Sequence, residues 1–311
     1  MKRVSLLSTS LFVLAVVLFL SSCRTAVPAS DKITIITTIF PQYDFVRHIV
    51  GDQAEVIMLL RPGAESHSYE PPPRDIIKIK NSSAFIYIGG ESDQWAKKIL
   101  DSMDTSKMTI ITLLDCVPAV REELVEGMQP EEEESTAYDE HIWTSPRNAK
   151  LIVEKITVAL CALDSANAAE YQRNAENYLS DLNELDKEFR ILVKDAKRKT
   201  LIFGDRFPFR YFVDEYGLKY FAAFPGCSTE TEVTPATLRF LIDKVRQEEI
   251  PVIFHIELSN QKVAQAIAEA TGAQVRQLHS VHNIIREDFQ NGLGYLDFMR
   301  QNIAVLREAL Y

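Results

Sequence analysis

The feature that most limits how this chain can fold is a long helical stretch set between two runs of alternating strands and helices. Pro146 opens it, with Ile152, Ile156, Leu160 and Leu163 on one apolar stripe. After Asp164-Ser165-Ala166-Asn167 a second run continues to about Arg198, with Tyr171, Tyr178, Leu182, Leu185, Phe189 and Leu192 spaced three to four apart. Its other face is mostly charged, as suits a helix along an exposed edge. The stripe is too short and irregular for a coiled coil.

Before it, β-branched Ile33 to Ile39 reads as a buried strand, Pro41 to Val50 as a helix stopped by Gly51, and Ala54 to Leu60 as a second strand. Helix Pro71–Lys80, strand Ala84–Ile88, helix Asp93–Ser102 and strand Met108–Leu113 complete this half. After it, strands are expected at Thr200–Phe203, Tyr220–Phe224, Val252–Ile256 and Gln274–Leu278, with helices at 209–216, 235–248, 261–271 and 293–311. Strands alternating with helices argue parallel α/β sheets. The expected architecture is two α/β lobes joined by a single long backbone helix, with a cleft between them. The expected limits are a lobe at 31–164, a linking helix at 165–198 and a lobe at 199–311.

The first residues predict a compartment. Lys2 and Arg3 precede an apolar run from Val4 to Leu20, and small residues then precede Cys23. That is a secretory signal over 1–22; as an uncleaved anchor, the run would be near the lower limit of a membrane span. The segment at Cys23 resembles a bacterial lipobox, which implies diacylation of Cys23, and 23–30 reads as a flexible tether. Without the signal the chain carries 32 basic against 44 acidic residues, a formal −12. Such a surface disfavours nucleic acid as a partner. Cys116, Cys161 and Cys227 allow one disulfide whose pairing cannot be read off.

Three of six histidines lie where strands or helices give way to loops: His67 after the second strand, His141 just before Pro146, and His279 after Val275–Leu278. In open α/β sheets the ends of strands line the crevice that binds ligand. Neutral imidazole is the commonest zinc ligand. Any one of these alone would be an ordinary surface histidine; their shared placement points to a metal.

Several segments, in order, resemble the metal-binding lipoproteins of zinc and manganese ABC importers, of the zinc-uptake type among the cluster A-I solute-binding proteins. They are Thr37 to Phe45, Pro62-Gly63 with His67 to Pro71, His141 to Ala149, Tyr216-Gly217-Leu218, Glu257 with its following helix, Thr271-Gly272-Ala273, and Tyr295 to Asn302. The resemblance covers nearly the whole chain after the signal. It implies a metal-capture receptor rather than an enzyme, acting as a monomer on the lipid surface with an ABC permease and its ATPase as partners. It also implies His67 and His141 as ligands.

Two departures stand out. The family's third ligand falls on Arg206, which has no acceptor and keeps its charge; Asp205, one place earlier, is the substitute. A local Asp205–Arg206 ion pair is the alternative. The fourth position falls on His279, with His282 three residues on and expected to face solvent or stand behind the ligands. The expected metal residues are therefore His67, His141, His279 and Asp205. Arg206 is expected to point away, towards Glu257 or Glu230. Three imidazoles favour Zn2+ over Mn2+, with Fe2+ third. Segment 121–140 is acidic where many zinc-selective members are histidine-rich, and reads as a solvated loop or a weak gatherer of cations. A zinc hydrolase would need a base and helix spacing that are missing here: no His-Glu-x-x-His occurs. Nothing in the sequence marks a surface adhesin. Trp95, Trp143 and Tyr69 would suit an organic solute, although core packing accounts for them.

Overall fold

A computed structural model describes residues 32–65, 69–128, 137–228 and 232–311. The signal and tether segments, with Cys23, lie outside the described residues, as do His67 and Glu230. Among the described residues no helix is long and apolar enough to cross a membrane.

Each half builds one four-stranded parallel sheet. In the first, β1 (Thr34–Thr37), β2 (Glu55–Met58), β3 (Ala84–Tyr87) and β4 (Thr109–Thr112) take the order β2-β1-β3-β4. In the second, β5 (Thr200–Phe207), β6 (Lys219–Pro225), β7 (Val252–His255) and β8 (Gln274–Gln277) take β6-β5-β7-β8. The same pattern therefore occurs twice. Central strands are apolar and buried, as in Ile35-Ile36, Leu201-Ile202-Phe203 and Ile253-Phe254, because helices cover both faces. In each sheet the strand order reverses beside the first strand, at β1/β3 and at β5/β7. That switch point is where such folds leave a crevice.

Helices α1 (Phe40–Val50), α2 (Pro73–Lys80) and α3 (Gln94–Asp101) serve the first sheet, followed by α4 (Pro146–Leu163) and α5 (Ala168–Lys194). Helices α6 (Arg210–Tyr216), α7 (Pro235–Gln247), α8 (Lys262–Thr271), α9 (Arg286–Gln290) and α10 (Tyr295–Leu310) serve the second. Local chemistry sets the ends. Ser145 caps α4 through the Asn148 amide, with Pro146 in the first turn, and Thr234 caps α7 in the same way. Gly217 and Gly272 end α6 and α8 in left-handed backbone. The sequence reading missed the short α9 and ended β5 early, at Phe203.

The 27 residues of α5 span about 40 Å. Its stripe from Tyr171 to Leu192 is buried against α1 and α4 on one side and α6 and α10 on the other. One apolar core runs from Ile35 and Phe85's neighbour Ile86 through Trp143, Phe189 and Phe203 to Leu310. Both lobes therefore share a core, with a smaller cluster behind each sheet.

A buried carboxylate pins this arrangement. Asp44 of α1 is fully buried; it accepts from Arg47 Nε at 2.8 Å, from Tyr178 Oη of α5 at 3.2 Å and from the Tyr295 amide of α10 at 2.9 Å. Three helices from both halves meet on one side chain. Truncating it leaves a phenol, an amide and a guanidinium without their acceptor, which for a buried charged group costs about 3–5 kcal/mol. Asp44→Ala is expected to lower the unfolding free energy by about that amount in urea titrations. A loss under about 1 kcal/mol would show that water replaces the carboxylate there.

Candidate metal site between the lobes

His141 ends the loop that enters α4, ahead of the turn Ile142–Thr144. It is almost wholly buried. Its backbone amide and its ring Nδ1 both lie on Asp139 Oδ1, at 2.8 and 3.0 Å. A carboxylate on Nδ1 fixes the proton there and makes Nε2 the basic nitrogen, the arrangement that orients a ligating histidine. Burial disfavours the imidazolium, but Asp139, then Glu140 and Glu122, outweigh it and raise the His141 pKa. Gly226 lies flush against this ring: a Cβ there would meet His141 Cε1 and Nδ1 at 3.3 Å and the Phe207 carbonyl at 2.9 Å.

The facing imidazole is His282. Its centroid lies 5.2 Å from that of His141, with the rings 80° apart, and both contact the Trp143 indole. With Zn–N distances of 2.0–2.1 Å and tetrahedral angles, two ligating imidazoles have centroids roughly 5 Å apart. The observed spacing therefore suits a shared ion. Among the described residues, no group of three or more His, Cys, Asp or Glu is arranged to hold a metal.

Glu257, just past β7, shapes the His282 loop. Its carboxylate accepts from the Ser280 amide at 2.8 Å, Ser280 Oγ at 2.6 Å and the His282 amide at 3.0 Å. Between them Val281 is buried at φ +59°, a conformation that costs a β-branched residue of order 1–3 kcal/mol. The three bonds to Glu257 hold the chain in that turn.

Three of the expected site residues have surroundings the sequence reading did not anticipate. His279 is not among the residues that line the cleft with His141. Its backbone is clamped by Asn302 in both directions, its ring packs on Phe298 with centroids 4.8 Å apart, and Gln277 lies 3.1 Å from Nδ1. Burial lowers its pKa despite Glu257 and Asp288 nearby. The left-handed Val281 turns the loop so that His282 enters the cleft instead. Asp205 is also committed elsewhere: Oδ1 accepts from the Arg206 amide at 2.8 Å and Oδ2 from the Ile256 amide at 3.2 Å. It closes the gap where the β5 register breaks between Phe203 and Arg206. Arg206, expected to point away, lines the same cleft as His141 and His282. Its partner is Glu65, at 3.2 Å, and not Glu257. A bulge of this kind re-aims the side chains that follow it.

The cleft is bounded by Glu65, His141, Arg206, Glu257 and His282 among others, with space of about 20 Å³ for the centre of a water-sized sphere. A second, smaller cavity lies at the β1/β3 switch point, with Thr38, Tyr69, Asp93 and Trp95, and His282 borders both. Asp93 is buried there; burial, with Glu140 nearby, raises its pKa to about 7. Cys116, Cys161 and Cys227 are free thiols, so no disulfide joins them. Cys227 follows Gly226, and its amide donates to Glu122 of the acidic loop at 2.8 Å.

The family model of the zinc-uptake complex component A, periplasmic (ZnuA), matches residues 35–309. The chain belongs to this family. It is 31% identical over 288 residues to the high-affinity zinc uptake system protein ZnuA of Bacillus subtilis, covering 90% of this chain and 88% of that protein. Against the zinc-binding lipoprotein AdcA of Streptococcus pneumoniae it is 30% identical over 311 residues, which is 99% of this chain but only 61% of the longer relative. The zinc-bound ZnuA-like domain of that AdcA superposes with a TM-score of 0.75 at 29% identity, covering 90% of this chain and 99% of the domain.

In this ZnuA-family chain the two histidine loops are joined by several hydrogen bonds. Trp143 Nε1 donates to the Ser280 carbonyl at 2.8 Å, and Tyr295 Oη donates to the Trp143 carbonyl at 2.7 Å. Asn283 Nδ2 donates to the carbonyls of Arg61 and Ala64, and the Gly63 amide to that of Ile284. Trp143→Phe keeps a ring in place but leaves the Ser280 carbonyl without its donor. Expected is a stability loss of about 1–3 kcal/mol by urea or thermal denaturation. An unchanged midpoint would show that this bond does not hold the two loops together.

Proposed function

We propose that this chain captures zinc outside the cytoplasmic membrane through His141, His282 and His67, and delivers it to an ABC permease. The observation that carries the reading is the pair of buried imidazoles set 5.2 Å apart in the cleft between the lobes, in a chain of the zinc-uptake family. The His141 ring is held by Asp139, and the backbone of His282 by Glu257. His67 enters from its sequence motif; its described neighbours Glu65 and Tyr69 border the two cavities. Imidazole nitrogens in a tetrahedral shell suit Zn2+, whereas Mn2+ prefers more oxygen. The ion is cargo: it is bound, carried and released. The ATPase of the import system drives its passage through the permease.

The test is metal analysis of the purified, chelator-stripped protein after exposure to equimolar zinc, manganese and iron, with calorimetry on single variants. One zinc per chain is expected. His141→Ala, His282→Ala and His67→Ala should each weaken binding at least about a hundredfold, since structural zinc sites are worth on the order of 10 kcal/mol. His279→Ala should leave affinity within about threefold, well under 1.4 kcal/mol. Preferential retention of manganese would overturn the choice of metal, and wild-type affinity in His282→Ala would overturn the assignment of that loop.

Anchoring rests on Cys23. Two acyl chains on one cysteine hold a protein stably on a bilayer at about 0.8 kcal/mol per buried methylene. Cys23→Ser is expected to abolish lipid labelling and to leave precursor unprocessed or protein released from membranes. Unchanged labelling would end the claim.

A further inference from the structure

Resting on the reading of His141 as a ligand, we propose that Glu122 is a positioning residue for that imidazole, and that the acidic segment around it straps the His141 loop to the second lobe. The segment leaves the first lobe after β4 and the short turn Leu113–Cys116. It then pairs with the chain that enters the site. Arg121 bridges Tyr138 in antiparallel register. The Glu122 amide donates to the Ala137 carbonyl at 3.1 Å, and the Asp139 amide to the Val120 carbonyl at 2.9 Å. Asp139 in turn holds the His141 ring.

Each carboxylate between 121 and 128 meets the second lobe. Glu122 Oε1 accepts from the Cys227 amide at 2.8 Å. Glu123 pairs with Arg210 at the start of α6. Glu126 lies 3.9 Å from Lys244 of α7, whose ammonium stands over the Phe221 ring of β6. Gly127, at φ +92°, lets the chain lie against Phe240, where a Cβ would run into the ring. The Val120 amide donates to Tyr211 Oη at 3.1 Å, and that hydroxyl donates to the Asp139 carbonyl at 2.8 Å. A solvated acidic loop would make none of these contacts. Glu122 is the one that reaches the site, because Cys227 follows Gly226, and Gly226 backs the His141 ring. The paired strands 120–122 and 137–139 therefore carry both supports of that imidazole, Asp139 directly and Gly226 through Glu122. Burial raises the Glu122 pKa; the Cys227 amide offsets part of this, and the Asp139 charge adds to it. A carboxylate that served only solubility would be better placed in water. Groups that orient a ligating histidine govern metal affinity by about ten- to a hundredfold.

The test measures zinc affinity by competition with a chromogenic chelator, the visible spectrum of bound cobalt, and hydrogen exchange, all on the full chain. Glu122→Ala is expected to weaken zinc binding about tenfold or more, to shift the cobalt bands and to speed exchange at the Cys227 amide. Glu122→Gln keeps an acceptor oxygen at the same reach. It should return zinc affinity to within about threefold of native and restore the native cobalt spectrum. Glu123→Gln combined with Glu126→Gln loosens the outer fastening; it should speed exchange over 120–127 and weaken zinc by less than Glu122→Ala does. A role confined to folding would lower the unfolding midpoints but leave the cobalt spectrum of folded Glu122→Ala native, and that pattern overturns the inference. Should Glu122→Ala fail to fold, native zinc affinity and a native cobalt spectrum in the double variant overturn it instead. Zinc binding that survives His141→Ala overturns the reading on which this rests. Binding that needs His141 but ignores Glu122→Ala overturns the inference alone.

Discussion

A buried chain of hydrogen bonds runs through this protein, and the site depends on it at every step. It starts at Asp44, which receives the Tyr295 amide; Tyr295 Oη donates to the Trp143 carbonyl, and Trp143 Nε1 donates to the Ser280 carbonyl. Ser280 in turn gives both its amide and its hydroxyl to Glu257, which also takes the His282 amide. The path alternates between the lobes and passes the loop of each histidine. Within a low-dielectric interior such a chain is costly to break anywhere, because each freed group is left without water. The long helix α5 sets the spacing of the two sheets, while this chain and the Asn283 bonds to the 61–64 loop align the two faces of the cleft.

The fold was largely legible because it rests on periodicity. Ile33 to Ile39 and Val252 to Ile256 are strands on composition alone, and the Tyr171–Leu192 stripe fixes one face of α5. Most boundaries moved by one or two residues where caps decide them, while α5 runs from Ala168 to Lys194 rather than over 165–198. The extension of β5 to Phe207 was not legible, because Gly204-Asp205-Arg206 carries no strand pattern; the bulge there is stabilised by Asp205 reaching the Ile256 amide.

The site was legible in part. Motif and strand-end position placed His141 correctly in the cleft, since a histidine ahead of a capped helix has few places to go. The choice of His279 over His282 turned on one backbone angle. No rule would put β-branched Val281 in the left-handed region, and only the Glu257 carboxylate, 23 residues away from Ser280, makes that turn tenable. Long-range anchoring of this kind leaves no local signature. The same holds for Arg206, whose direction follows from a register break and from Glu65 across the cleft.

The seam between the lobes has one property that bears on how such receptors diverge. Several of its acceptors are main-chain carbonyls: those of Ser280, Trp143, Arg61, Ala64 and Ile284. A peptide oxygen is supplied by every amino acid, so at these bonds only the donor side chains of Trp143, Tyr295 and Asn283 need to be retained. Side chains at the accepting positions are free to drift. A lineage can therefore exchange residues that line the cleft, even placing an arginine there, without losing the alignment of its two halves.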